Sequence, residues 1–180
     1  VTDPFGGGGL PGGWEVRNDR EVVSATIAVP SEYERVENDG RTGVDSVTYW
    51  DPSGVFKVYL ERVRTGEATD EIAPTRDAWR EHYEKGGDNG TDVKDQRVTV
   101  SGTKHQGKNA FDTTVDHVPY DAGDDDPIRR RWQERVVATG KGSGQVYWRL
   151  RVAGPSEGWA AKTGTELFDR VAEHLRIQGL

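Results

Sequence analysis

Apolar and polar residues alternate along seven short segments of this chain, which is the pattern of half-buried β-strands. In the first segment, "EVVSATIAV", the side chains of Val23, Ala25, Ile27 and Val29 share one side. The predicted strands cover residues 21–29, 45–50, 55–63, 95–102, 109–118, 128–138 and 145–153. After the first, they form pairs joined by short connections such as "DPSG", a type I turn sequence, so we expect antiparallel pairing.

Two other segments have helical periodicity. Residues 74–85 place Trp79 and Tyr83 four positions apart and end before a glycine pair, which predicts an amphipathic helix. Thr163 and Glu166 form a capping box ahead of a second helix with an apolar stripe. The stripe consists of Leu167, Phe168, Val171, Ala172 and Leu175. The fold class predicted from this order is α+β, an antiparallel β-sheet packed with helices.

The first 13 residues differ from the rest, because glycine and proline dominate them and no periodicity is present. A phosphate-binding glycine loop needs a strand before it and a helix after it, and neither is predicted here. We therefore interpret residues 1–13 as a flexible linker and residues 14–180 as a single sensor or binding domain. The chain has no methionine at all, so we expect it to be a segment of a longer protein.

Charge and composition narrow the function classes. The formal net charge of −7 over 180 residues argues against general nucleic-acid binding and against an anionic membrane surface. There is no cysteine, so neither a disulfide framework nor a thiolate metal site is expected. No stretch approaches the roughly 20 apolar residues that span a bilayer, so any membrane contact would come from an upstream helix outside this chain.

Several local motifs suggest chemistry that their surroundings do not support. "GTKHQGKN", residues 102–109, resembles a P-loop, but Asn109 replaces the hydroxyl residue and a strand follows, so we predict a hairpin turn. The acidic loop at 121–127 lacks the ligand spacing of an EF-hand. Ser143 is not in a nucleophile-elbow motif, and Asn89 lies in a glycosylation sequon to which no role is assigned. We predict no catalytic residue, no metal and no cofactor.

One cluster of arginines is a candidate ligand site. Matching apolar residues across the last hairpin favours a register in which Arg135 is opposite Arg149 and Gln133 is opposite Arg151. Like charges that face each other are unfavourable, so an anionic group should lie over them. That group is either acidic side chains of the same domain, with Glu81 or Glu84 as candidates, or an anionic ligand. The predicted site consists of Arg131, Arg135, Tyr147, Arg149 and Arg151.

The chain also resembles a known family along residues 13–177. Asp51, Pro52 and Gly54 follow an aromatic strand, "GKNAFDTTV" forms a later strand, and "LFDRV" lies on the last helix. These motifs resemble the extracytoplasmic C-terminal domain of actinobacterial membrane-anchored serine/threonine protein kinases. The resemblance implies a PsbP-like αβα sandwich on the outer face of the membrane, with the catalytic kinase domain outside this chain.

The function that the resemblance implies is non-catalytic sensing, by binding an extracellular ligand or by self-association. The alternative is a secreted lipoprotein of the same fold that binds a small molecule or a protein. A third hypothesis is a hydrolase whose residues meet only in space; a histidine or serine bonded to a carboxylate in a deep pocket would favour it.

Overall fold

The computed structural model describes residues 10–38, 40–68, 72–123, 125, 128–139 and 145–180, apart from the side chain of Asn89. Several predictions therefore lie wholly or partly outside the described residues. They concern the linker at 1–13, the acidic loop at 121–127, the sequon at Asn89 and the glycine-rich connection that contains Ser143.

Within the described residues, ten strands form two antiparallel sheets, and three helices accompany them. The strands are β1 (Trp14–Asp19), β2 (Ala25–Pro30), β3 (Glu34–Glu37), β4 (Val44–Trp50), β5 (Lys57–Arg64), β6 (Val93–His105), β7 (Lys108–Pro119), β8 (Arg130–Thr139), β9 (Val146–Pro155) and β10 (Arg176–Ile177). The helices are α1 (Arg20–Val23), α2 (Arg76–Glu84) and α3 (Gly158–His174). A short 3₁₀ turn covers Asp88–Gly90. The α+β class predicted from the sequence is confirmed.

The larger sheet separates two hydrophobic cores. Its seven strands have the order β3-β4-β5-β9-β8-β7-β6, and the smaller sheet has the order β1-β2-β10. On one face, Trp79 and Tyr83 of α2 pack against Phe111, Val136 and Tyr147. On the other face, α3 and the smaller sheet build a core with β4, β5 and β9. Because successive strand residues point to opposite faces, one sheet supplies both cores.

Two predicted hairpin turns are present in the structure. The "DPSG" turn closes with a hydrogen bond of 2.8 Å from the Gly54 amide to the Asp51 carbonyl. The segment at 102–109 forms the ends of β6 and β7, with Gln106 and Gly107 at positive φ between them. The predicted hairpin turn is therefore confirmed. Thr75 caps α2 by accepting a hydrogen bond from the Ala78 amide.

Two local predictions are wrong, and three short strands were not predicted. The expected strand at 21–29 starts only at Ala25, because α1 and the left-handed Ser24 precede it. Helix α3 begins at Gly158, so Thr163 lies inside the helix and the predicted capping box does not start it. Strands β1, β3 and β10 were not predicted; they are short, and the pairing of β10 with β2 is long-range.

Phe56 fixes the "DPSG" turn to the core. Its ring lies against two glycines, and a Cβ atom added to Gly154 would lie 2.7 Å from it. A Cβ atom on Gly164 of α3 would lie 3.2 Å from the same ring. Strand β9, helix α3 and the turn therefore meet at one ring, which a side chain at position 154 would overlap and a side chain at position 164 would crowd.

Candidate functional site

The register of the last hairpin differs by one residue from the predicted one. Val136 is opposite Arg149, and Glu134 is opposite Arg151. A shift of one residue moves each side chain relative to its expected cross-strand neighbour. The expected juxtaposition of Arg135 with Arg149 is therefore wrong, since Arg135 is opposite Leu150.

The five predicted residues consequently lie on two faces of the sheet. Tyr147, Arg149 and Arg151 alternate with core residues that pack on α3, so they face α2. Arg131 and Arg135 face the other way, because Trp132 and Val136 between them pack on the α2 side. The structure thus brings three of the five together and separates the other two from them.

Arg131 and Arg135 both pair with carboxylates of the neighbouring strand. Arg131 Nε lies 2.6 Å from Asp116 Oδ1, and Arg135 Nε lies 2.8 Å from Asp112 Oδ1. Each arginine also makes a second bond to the same carboxylate, at 3.0 Å, so both pairs have the bidentate geometry for which a guanidinium is suited. These contacts explain the two arginines without a ligand.

Arg149 and Arg151 belong to a buried cluster with two glutamates. Arg149 Nη2 lies 2.6 Å from Glu61 Oε1, and Arg151 Nε lies 2.6 Å from Glu134 Oε2. Glu61 is 2% exposed and Glu134 is 0% exposed. The positive charges of the two arginines are therefore compensated by the negative charges of the two glutamates in the interior of the domain. The acidic partners come from strands, so Glu81 and Glu84 on the helix are not the groups that compensate these arginines.

Helix α2 contributes two hydrogen-bond donors to this cluster. The indole nitrogen of Trp79 donates to Glu134 at 2.9 Å, and the Tyr83 hydroxyl donates to the same carboxylate at 2.8 Å. The Tyr83 oxygen in turn accepts a bond from Arg151 Nη2 at 3.0 Å. Arg151 also lies over the Trp132 ring, 4.1 Å from its centroid. The amphipathic helix thus brings polar atoms, as well as apolar surface, to the sheet.

The pKa values reflect this pairing. Burial works to raise the pKa of Glu134, but Arg151, Arg149 and the hydrogen bonds from Trp79 and Tyr83 outweigh it, so the pKa lies below its ordinary value. Burial works to lower the pKa of Arg149, but Glu61 and its other neighbours hold that pKa well above the usual range. Burial raises the pKa of Tyr83, and Glu134 adds to this effect. The glutamate and arginine are therefore charged, and the phenol is neutral, near pH 7.

A cleft opens above this cluster, between the sheet and the end of α2. We call it the arginine cleft. Its polar lining consists of Arg41, Glu61, His82, Tyr83, Asp88, Asp92, Tyr147, Arg149 and Arg151. Tyr147 is only 3% exposed and packs edge-on against Trp79, so its contribution to the cleft is mainly structural.

The mouth of the arginine cleft carries charges of both signs. Arg41 reaches in from the β3–β4 connection, 3.5 Å from Glu61, with 63% of its side chain exposed. His82 Nε2 lies 3.4 Å from Asp88 Oδ1. Burial lowers the pKa of His82, and Asp88 opposes this effect. Arg149 additionally has a buried Nε donor with no hydrogen-bond acceptor among the described residues.

The sequence pattern does not single out Arg41, Glu61, Glu134 or the aspartates of the cleft. Glu134 and Glu61 sit at the alternating positions of predicted strands, but nothing local distinguishes a buried glutamate from an exposed one. Arg41, Asp88 and Asp92 lie in connections whose positions depend on the tertiary fold. The sequence indicates part of this site in "WREHY". The helical period places Trp79 and Tyr83 on one face of the predicted helix, and His82 precedes Tyr83 directly.

Other chemistries have less support in the described residues. Among them, no group of three or more His, Asp or Glu side chains is placed to hold a metal ion. His105 and His117 are buried and bond to the backbone carbonyls of Leu175 and Val115. None of the described helices is both long and apolar enough to cross a membrane.

Comparison with known proteins adds a distant structural likeness. No protein-family model matches the chain, and no curated protein matches it. Among solved structures, the chain is similar to LpqN, which is described as involved in cell envelope biogenesis of Mycobacterium tuberculosis, with 11% identity and a TM-score of 0.45. The likeness covers 94% of this chain and 80% of the LpqN chain.

Proposed function

We propose that this chain is a non-catalytic, extracytoplasmic ligand-binding domain, and that the arginine cleft receives the ligand. The observation that carries the proposal is the cleft's construction. A neutral cluster of Glu61, Glu134, Arg149 and Arg151 closes its floor, while Arg41 and Asp88 leave both signs of charge at its mouth. Such a site suits a small polar ligand with an acidic group for Arg41 and a donor group for the aspartates.

The internal pairing of the arginines refines the ligand class. A purely anionic ligand would have to compete with Glu61 and Glu134 for Arg149 and Arg151, both already bonded at 2.6 Å. Arg41 has a longer contact of 3.5 Å and is largely exposed, so it is the arginine that can turn to a ligand at little cost. We therefore favour a zwitterionic ligand, such as an amino acid or a short peptide, over a simple anion.

The proposed parent is a membrane-anchored serine/threonine protein kinase, as the resemblance of the "DPSG" and "LFDRV" segments implies. Ligand binding would alter the parent's activity only if the ligand bound one of its states more tightly than the other. The competing proposal is a secreted lipoprotein with the same domain. The upstream coding sequence distinguishes them, because one predicts a kinase domain and a membrane helix, and the other a signal peptide with a lipidated cysteine.

The ligand proposal is tested with a thermal-shift screen followed by calorimetry. The screen contains inorganic phosphate, free amino acids, short acidic peptides and peptidoglycan fragments. The compound that stabilises the domain most is then titrated into the wild type and into Arg41→Ala. Loss of a charge-assisted contact predicts about tenfold weaker binding by the variant, with its melting temperature unchanged.

Arg97→Ala is the matched control, because Arg97 is also exposed but lies on β6, outside the cleft lining. It should bind like the wild type. If Arg41→Ala and Arg97→Ala both bind like the wild type, the ligand does not use the cleft and the proposal is wrong.

His82 and Asp88 give the hydrolase hypothesis one specific observation, because a histidine–carboxylate pair lies in the cleft at 3.4 Å. A nucleophilic hydrolase also needs a serine, threonine or cysteine beside the base. The described lining of the cleft contains none of these residue types. Turnover of an ester or amide substrate that disappears in His82→Ala would establish the enzyme and replace the binding proposal.

A further inference from the structure

A second groove lies on the other side of the molecule, where the smaller sheet meets α3. Four aromatic rings line it: Trp14, Tyr33, Phe56 and Trp159. We call it the aromatic groove. Trp159 is 69% exposed and meets the edge of the Phe56 ring at a centroid distance of 6.4 Å.

The polar lining of this groove is predominantly acidic. Glu32, Asp51 and Glu166 line it together with one cation, Arg170. Arg170 is 3.3 Å from Glu173, so its charge is already shared with a carboxylate outside the groove. Burial raises the pKa of the Tyr33 phenol, and the charges of Asp51 and Glu32 add to that effect, which indicates that both carboxylates act on this ring. Glu166 has a looser contact of 3.9 Å with the exposed amine of Lys162, so the groove combines aromatic rings with an excess of carboxylates.

The groove differs from the other aromatic sites of the chain in having no cation of its own over a ring. Elsewhere, Lys57 lies over Trp50, Arg17 over Tyr49, and the cleft arginines over Trp79 and Trp132. Within the described part of the chain, no such contact involves the four rings of the groove. Positive groups are attracted to the faces of aromatic rings, most strongly to tryptophan.

We infer that the aromatic groove binds an organic cation, with a quaternary ammonium or alkylammonium group held against Trp159 and its neighbouring rings and between the carboxylates of Glu32 and Glu166. Charge complementarity selects this occupant over an anion, and the apolar rings select it over a small hydrated metal ion. The site is separate from the arginine cleft, so it does not depend on the function proposed for that cleft.

The test compares choline with its neutral isostere, 3,3-dimethylbutan-1-ol, by titration monitored through the indole N–H signals of the full chain. The two probes have the same shape, so their difference in affinity isolates the positive charge. We expect choline to bind at least about tenfold more tightly. Equal affinities, or no saturable binding of either probe, would overturn the inference.

Two tryptophan variants locate the site. Trp159→Ala should weaken choline binding at least about tenfold. Trp50→Ala should leave choline binding unchanged, because Trp50 does not line the groove and its ring already has Lys57 Nζ 5.1 Å from its centroid. Trp50 is also largely exposed, at 45%, which makes the two substitutions comparable in their effect on folding. Glu166→Gln, at an exposed carboxylate, should weaken choline binding without affecting the isostere. Choline binding that survives Trp159→Ala would place the cation outside the aromatic groove and contradict the inference.

Discussion

At Glu134, a carboxylate with no exposed surface receives hydrogen bonds from three side chains on two elements. Trp79 and Tyr83 approach from α2, and Arg151 approaches from the adjacent strand. A buried charge is tolerable only when it is paired and hydrogen-bonded, and here both conditions are met. The same bonds hold Tyr83 and Arg151 in the positions that shape the floor of the arginine cleft.

Glu134→Gln should therefore destabilise the domain by about 3 kcal/mol, because it leaves Arg149 and Arg151 in the interior with Glu61 as their remaining buried carboxylate. The free energy of unfolding in urea measures this change. Glu37→Gln is the control: Glu37 has 59% of its side chain exposed and a looser contact of 3.6 Å with Arg35. That variant should stay within about 0.5 kcal/mol of the wild type. Similar losses in both variants would show that the buried cluster does not contribute as described.

The sequence did not reveal this cluster, although two of its members, Arg149 and Arg151, and the neighbouring Tyr147 are among the predicted residues. Tyr147, Arg149 and Arg151 were predicted to share a side, and they do. Arg131 and Arg135 were placed with them because the chosen register was one residue off. A glycine-rich connection does not specify register by itself, and the choice between two adjacent registers depends on packing against α2 and α3.

Among the elements, the hairpins with strong turn chemistry could be predicted and the short, long-range strands could not. The "DPSG" turn carries its own hydrogen bonds, since Asp51 accepts from the Ser53 and Phe56 amides. By contrast, β10 has only two residues, and its pairing with β2 spans most of the chain. The α3 start was misplaced because a favourable internal sequence, Thr163 to Glu166, resembles a helix start.

At the junction of β9, α3 and the "DPSG" turn, Gly154→Ala should destabilise the domain by about 2 kcal/mol. The new methyl group would lie 2.7 Å from the Phe56 ring, and that ring has little room to move because Gly164 lies close to it as well. Chemical denaturation measures the loss. Gly12→Ala, where nothing lies within 4 Å, serves as the control and should be nearly neutral.

The cause of that loss can be checked with a double-mutant cycle. If the clash with the ring is responsible, Phe56→Leu should relieve part of it, and the two substitutions should show a coupling free energy of at least about 1 kcal/mol. Additive effects would mean that Gly154 is required for a reason other than the ring.

On the scale of the whole molecule, the two proposed binding surfaces are lined by different elements and differ in the charge and aromatic content of their linings. The arginine cleft lies on the α2 side, and the aromatic groove lies beside α3 and the smaller sheet. The α+β class followed from the sequence because alternation and short turns are local signals. The polar residues that line each surface could not be predicted in the same way. The cleft, for example, is formed by residues of the β3–β4 connection, β5, α2 and β9, which are far apart in the sequence. The PsbP-like assignment and the kinase parent remain predictions.

The stability of the whole domain should fall as the pH drops from 7 to 5. His105 is 4% exposed and bonds to the Leu175 carbonyl at 3.0 Å; its burial, followed by the charge of Arg135, lowers its pKa from 6.5 to about 4. Between these values the unfolded chain binds a proton that the folded chain does not. Stability therefore rises with pH across this window, by about 2 kcal/mol between pH 5 and pH 7 from this residue.

Urea denaturation of the wild type and of His105→Gln at both pH values measures this contribution. The variant should show a smaller difference between pH 5 and pH 7. His82 and His117 have lowered pKa values too, mainly through burial, so part of the pH dependence should remain. If the free energy of unfolding depends on pH in the same way in His105→Gln as in the wild type, the folded structure does not keep His105 neutral.

Occupancy of the arginine cleft can be observed residue by residue in a ¹H–¹⁵N chemical-shift titration with the strongest stabiliser from the screen. We expect saturable shifts concentrated at Arg41, His82 and Asp88 and at the side chain of Arg149, with the β6–β7 hairpin tip unaffected. Shifts that concentrate away from the cleft, with these four residues unchanged at saturation, would contradict the proposal.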